Sequence, residues 1–223
     1  DGQYDLENPP EKGLAIARDA AFFDYLVWGF PSYLQLLTGQ GEYQKAREAL
    51  NEIIQLATQN EPSPLLTEQL EAQQVTLDLE EGKIEPAVFW ASENNTWEGT
   101  ADLGPLEYKW LTLARVWLAN DQAPDALPLL HKLTHQAREN RRGRSYLTSS
   151  LLLSNAHHQL ENHEEAIKTL AESLAYAQPK GYLRTIIDEG HRIWDMIRQI
   201  QLDQGQPYLN SHPLSEEYLT TLN

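Results

Sequence analysis

The stretch ENHEEAIKTLAESLAYA, Glu161 to Ala177, decides how this chain folds. Ala166, Leu170, Leu174 and Ala177 recur at three- and four-residue intervals, which puts them on one stripe of a helix. The same pattern stands in GEYQKAREALNEIIQLA from Gly41, GKIEPAVFWA from Gly82 and DQAPDALPLLHKLTHQA from Asp121. Each copy has a turn-type or polar residue five positions before an alanine, and those alanines, Ala46, Ala87, Ala126 and Ala166, are 41, 39 and 40 residues apart. A small residue there lets a partner helix approach closely. Upstream of each copy lies another apolar-periodic run: PSYLQLL, EQLEAQQVTLDL, PLEYKWLTLARVWLA and YLTSSLLLSNAHHQL. Repeated two-helix units of this kind bury one continuous core by stacking, and curve into a concave face lined by the first helices.

Breakers mark the joints. Pro31, Pro62 with Pro64, and Gly104 with Pro105 are expected ahead of first helices, where a missing proline N–H costs little. Residues 92–104, SENNTWEGTADLG, hold too many turn formers for a helix, so the second hairpin should have a shorter second helix and a longer loop. Pro128 is expected in an opening turn or at a kink. The run after Gly205 is expected to be a last short helix or partly disordered. The whole of 1–223 reads as a single domain with repeat units at roughly 22–60, 64–98, 104–140 and 144–178 and a cap at 181–202.

Composition limits the function. A chain of 223 residues, 41% apolar and 9% aromatic, can bury a real core. Its net charge of −16, from 17 basic and 33 acidic residues, opposes a phosphate backbone, whose binding depends on Lys and Arg displacing counterions. Direct nucleic-acid contact is therefore not expected. With no cysteine, disulfides, thiol catalysis and Cys-based zinc sites are excluded. No apolar run reaches bilayer length, and DGQYDLENPP has neither the basic nor the hydrophobic region of a secretion signal, so a soluble, cytoplasmic protein without membrane contact is expected. The first residue is Asp rather than Met, as in a piece of a longer chain.

The repeat spacing resembles tetratricopeptide (TPR) repeats, and two phrases resemble something narrower. Glu107, Tyr108, Leu111, Leu113, Ala114, Arg115 and Val116 follow E-[FY]-x-x-L-x-[LI]-A-R-V, and Gly143 with Arg144 opens the next repeat. Pro179, Gly181, Tyr182, Arg184, Ile186, Ile187, Asp188, Glu189 and Gly190 follow P-x-G-Y-x-R-x-[FI]-[VI]-D-E-G. Together they resemble the C-terminal part of the sensor superhelix in the MalT-like branch of LuxR-family transcriptional regulators, over about residues 30–200. Asp121 and Glu161 depart from the glycine usual at their turns. The resemblance implies an all-α, TPR-like right-handed superhelix of about four hairpins, whose last repeat is stopped by Pro179 and covered by a short capping helix. It also implies an N-terminal ATPase module and a C-terminal helix-turn-helix in the whole regulator. Neither a G-x-x-x-x-G-K-[ST] motif nor a basic recognition helix stands in this sequence, so ATP is expected as a cofactor only of a module outside it. No cofactor is expected here. The implied role is sensing a small-molecule inducer or a regulatory protein, with oligomerisation in the full-length regulator. The competing reading is a TPR-type scaffold that grips a peptide or partner protein.

In stacked hairpins, residues at equal offsets before the anchoring alanines form ladders. Eleven before stand Gln35, Thr76, Arg115 and Asn155; eighteen before stand Trp28, Gln69, Tyr108 and Thr148; fourteen before stand Ser32, Gln73, Thr112 and Leu152. The first two offsets differ by two helical turns and share a face. Gln69, Gln73, Thr76, Tyr108, Thr112, Arg115, Thr148 and Asn155 are therefore the candidate ligand-binding residues. A face of hydrogen-bonding side chains, one arginine and two aromatics, Trp28 and Tyr108, suits a neutral polyol or a peptide. On this reading, Arg115→Ala and Tyr108→Ala weaken ligand binding and spare stability.

Other signals have plainer readings. His131 and His135 lie one turn apart without a third ligand nearby, and His157, His158, His163 and Glu164 surround one turn; no metal site is expected from either. Arg141, Arg142 and Arg144 are expected to cover the carbonyls ending the helix before them. Asp188 and Glu189 belong to the capping phrase, and no nucleophile or oxyanion motif accompanies them, so no enzyme is expected. Asn94 with Thr96 forms a glycosylation sequon that means little in a cytoplasmic chain. Trp110 and Trp117, two turns apart beside Leu106 and Leu113, are expected on the core side.

Overall fold

The computed structural model describes residues 23–59, 62–189, 191–202 and, near the C-terminus, 214, 215, 218 and 220. All regular structure among them is helical. They divide between Gly82 and Lys83 into two compact units.

In the first unit, α1 (Phe23–Gly39), α2 (Tyr43–Gln59) and α3 (Pro64–Glu80) pack pairwise, so that one first helix also meets the next. Ala46, Leu50, Ile53 and Ala57, the stripe legible in the sequence, are the buried residues of α2. They close a core with Phe30, Leu34, Leu37, Leu66 and Leu70. Ser63 caps α3 through its side chain, and Pro64 stands in the first turn, as the breakers predict. Pro31 does not precede a helix: α1 runs through it. Arg47 of α2 donates to Asp78 and Glu81 at the end of α3, at 2.7 and 3.0 Å.

The second unit begins with α4 (Ile84–Asn94), shorter than its counterparts and followed by a long loop, as expected. That loop is fastened to α6: Lys132 donates to the Thr100 carbonyl at 2.6 Å, Gln136 Nε2 to that of Ala101 at 2.7 Å, and the Leu103 N–H to Gln136 Oε1 at 3.0 Å. A 3₁₀ turn at Gly104–Leu106 leads into α5 (Glu107–Ala119), then α6 (Ala123–Glu139), α7 (Gly143–Gln159) and α8 (His163–Ala177). Consecutive helices pack together, and α5 also touches α7, the first-helix stacking of a TPR array. Pro128 lies inside α6 beyond its first turn. Trp110, Leu113 and Trp117 are buried as predicted.

Ala46, Ala87, Ala126 and Ala166 are each 0% exposed, which confirms their role at the close approach of two helices. The residues five positions earlier have a common conformation too. Gly41 and Gly82 have φ of 77° and 75°, and Asp121 and Glu161, despite their side chains, have 55° and 60°. The turns at Gly41, Asp121 and Glu161 end their helices in a Schellman pattern: the N–H of Glu42 reaches the Leu37 carbonyl at 2.9 Å, that of Gln122 the Trp117 carbonyl at 2.7 Å, and that of Asn162 the His157 carbonyl at 2.9 Å. The departure from glycine thus leaves turn geometry unchanged and adds steric cost.

α7 sits between α6 and α8 through small polar residues. The hydroxyls of Ser149 and Thr134 are 3.1 Å apart, those of Ser150 and Ser173 2.8 Å, and Ser154 donates to the Ala166 carbonyl at 2.7 Å. After α8, a 3₁₀ turn at Gln178–Lys180 holds Pro179, and Gly181 at φ 67° redirects the chain into α9 (Leu183–Ile187) and α10 (His191–Leu202). Ile186, Ile193, Met196 and Ile197 then seal the core made by Leu147, Leu151, Leu170 and Leu174. The expected cap is present, built from two short helices. Leu214 and Tyr218 join the same cluster; most of the predicted tail, like the side chain of Trp28, falls outside the described residues.

Candidate functional site

The sequence-predicted wall divides between the units. In the first, Gln69, Gln73 and Thr76 share α3; Gln73 is buried, Gln69 and Thr76 are half-buried, and Thr76 returns its hydroxyl to the Ala72 carbonyl at 2.9 Å. In the second, Tyr108, Thr112 and Arg115 lie on α5, and Thr148 and Asn155 on α7, which stacks beside it. Thr112 is fully buried and Thr148 nearly so, leaving Tyr108, Arg115 and Asn155 as the part-exposed members. The Asn155 Oδ1 is buried and makes no hydrogen bond. A buried acceptor left unsatisfied costs about 1–3 kcal/mol.

Arg115 is already engaged. Its Nη2 donates to Glu189 Oε1 at 2.7 Å, joining α5 to the turn between α9 and α10 across 74 residues of sequence. The Arg115 side chain is 23% exposed and that of Glu189 only 5%. Next to it, Arg184 Nε meets Asp188 Oδ1 at 2.7 Å. Burial raises the Asp188 carboxyl above its ordinary value, against the opposing pull of Arg184, Arg144 and Arg115. Three guanidiniums and two carboxylates therefore converge at the cap. Loss of Arg115 would strand a buried carboxylate, so the expectation that Arg115→Ala spares stability is corrected.

The two sequence phrases meet elsewhere as well. A Cβ on Gly143 would stand 2.6 Å from the Tyr176 hydroxyl and 3.3 Å from that of Tyr182, so the glycine opening α7 makes room chiefly for Tyr176 of α8 and brings Tyr182 of the closing phrase alongside. Arg142 pairs with Glu107 at the head of α5, where the sequence reading had the arginines covering helix-end carbonyls. Glu189 is the residue that reading missed as a partner of Arg115. The available signal was that both stand at fixed places in the two quoted phrases; spacing alone does not reveal contacts between repeats.

His158 and His163 face each other across their turn as the sequence suggested, with ring centroids 5.6 Å apart, but the other histidines pair differently. His135 faces Glu139 at 3.5 Å, whereas His131 packs edge-on against His157 with ring centroids 5.7 Å apart. Among the described residues, no three or more His, Asp or Glu side chains are grouped to hold a metal. Burial, then the neighbouring His131, lowers the His157 pKa, and its Nδ1 is buried without a partner. No helix among the described residues is long and apolar enough to cross a membrane.

With this geometry in place, comparison with known proteins adds the following. A family model described as the MalT-like TPR region matches residues 15–203. The HTH-type transcriptional regulator MalT of Yersinia pestis (strain Pestoides F) is 34% identical over 115 residues, 51% of this chain and 13% of the relative. The protein of the same description from Serratia proteamaculans (strain 568) is 32% identical over 132 residues, 59% of this chain and 14% of the relative. The matches thus cover only a small part of the relatives' own length.

Proposed function

The chain belongs to the MalT-like TPR region family, and on that premise we propose that it is the signal-sensing region of an ATP-dependent, LuxR-type transcriptional regulator. It binds its signal, a small neutral inducer or a regulatory protein, on the face of its first helices. Its role is regulatory rather than catalytic, and it works in the cytoplasm without touching DNA itself, in keeping with the net charge of −16.

The observation that carries this reading is the unsatisfied Asn155 Oδ1 on α7, stacked beside the α5 that bears Tyr108 and Arg115. The part-exposed Asn155 amide and Tyr108 ring offer the signal molecule a hydrogen-bonding group and an apolar face, and a small shift of the amide brings its unsatisfied oxygen to a hydroxyl or amide donor. Thr112 and Thr148, buried beside them, shape the wall within the second unit. Binding there shifts the regulator from a resting state to an active one in proportion to the difference in affinity between the two.

The test is calorimetric titration of the chain with a panel of neutral oligosaccharides, polyols and aromatic acids. One member is expected to bind, and Asn155→Ala to weaken it by about tenfold, the value of one hydrogen bond to a buried group. Silence across the panel, with a peptide or protein captured on the same face, would establish the scaffold reading instead.

A further inference from the structure

We propose that the Arg115–Glu189 ion pair is a releasable latch, which holds the turn between α9 and α10 against α5 and opens when an acceptor-bearing occupant of the first-helix face takes over Arg115. The cap has two attachments of different kinds. α10 is held by apolar contact: Ile193, Met196 and Ile197 are 1%, 1% and 0% exposed within the core of α7 and α8. The turn carrying Glu189 is held to α5 by charge, at 2.7 Å. α9, a helix of 5 residues just ahead of that turn, is itself seated by Ile186, 0% exposed in the same core, so the charged pair holds the turn between two apolar anchors.

The two halves of the pair differ in burial, which gives the latch its direction. Glu189 is 5% exposed and depends on a cation, because an ionised carboxylate out of water without one is strongly disfavoured. Arg115 is 23% exposed and sits two helical turns from Tyr108 on the face proposed for the ligand. An occupant can therefore reach the arginine, and once it does, Glu189 must leave its site or find another cation. Arg144 and Arg184 both act on the adjoining Asp188 and are exposed, so they can receive the displaced carboxylate. Release frees the turn while Ile186 of α9 and the apolar side of α10 keep their seats, so the shape of the C-terminal end changes without unfolding the repeats. What opens the latch rests on the sensing role proposed above; the latch itself does not.

Hydrogen exchange on the whole chain, read by peptide mass spectrometry, tests the latch without any ligand. In Glu189→Gln, and separately in Arg115→Lys, the segment 183–189 is expected to exchange about tenfold faster, with α6–α8 unchanged, as a local opening rather than a global one requires. The charge-reversed double variant, Arg115→Glu with Glu189→Arg, is expected to restore protection. Unchanged exchange in 183–189, or an equal loss of protection across α7 and α8, overturns the proposal. In the first case the pair holds nothing, and in the second it is a general fold contact; either result leaves the sensing role to the titration.

Discussion

Glu161→Gly is predicted to stabilise this protein, although the substitution removes a side chain and adds flexibility. Glu161 holds φ at 60° in the turn from α7 to α8, where the equivalent residues Gly41 and Gly82 hold 77° and 75°. The left-handed region costs an L-residue with a side chain roughly 1–2 kcal/mol, because Cβ approaches the carbonyl that follows. Glycine avoids that cost and brings back roughly 0.5–1 kcal/mol through the extra freedom of the unfolded chain. The Glu161 side chain is exposed and makes no hydrogen bond or ion pair among the described residues, so no contact is lost. The net gain is about 1 kcal/mol, or about 2–4 °C in Tm for a chain of this size. Differential scanning calorimetry of Glu161→Gly, with Glu161→Ala as the control that keeps a Cβ, measures it. The mirror substitution, Gly41→Ala, should cost about as much: the added Cβ would have no atom within 4 Å, so only the backbone conformation is penalised. A Glu161→Gly variant no more stable than Glu161→Ala would refute the strain.

Two further outcomes follow from the packing. Arg47→Met should destabilise the first unit by about 2 kcal/mol in urea titration, since it leaves Asp78 and Glu81, 12% and 13% exposed, facing each other without their shared cation. Acidification should weaken the second unit through His157, whose pKa lies below the ordinary 6.5 because of burial and then His131, with Lys168 lowering it further and Glu165 opposing. The unfolded chain takes up that proton first, so the contribution is complete above pH 6.5 and is lost as pH falls through 6.5 towards the folded value. The urea midpoint should fall less between pH 7.5 and 5.5 in His157→Gln than in the parent; an equal fall in both would discount this histidine.

Sequence by itself determined the helices, the hairpin joints and the core stripe, because these depend on residues three to seven positions apart. Ala46, Ala87, Ala126 and Ala166 could be named as contact points because a helix repeats its face every few residues, and their 0% exposure agrees. The special turn positions were legible for the same reason, although Asp121 and Glu161 lack the glycine that signals them. Pro31 inside α1 was not, since local preference places a proline at a helix start and the surrounding packing overrides it. What each wall residue meets was decided only by tertiary structure. Equal offsets placed Thr112, Arg115 and Asn155 on one face, but the stacking of α5 on α7 buried the first, a carboxylate from the cap claimed the second, and the third was left with a free oxygen. Burial and partnership arise between segments remote in the chain, as Arg115 and Glu189 are, and no local period encodes a distance of that kind.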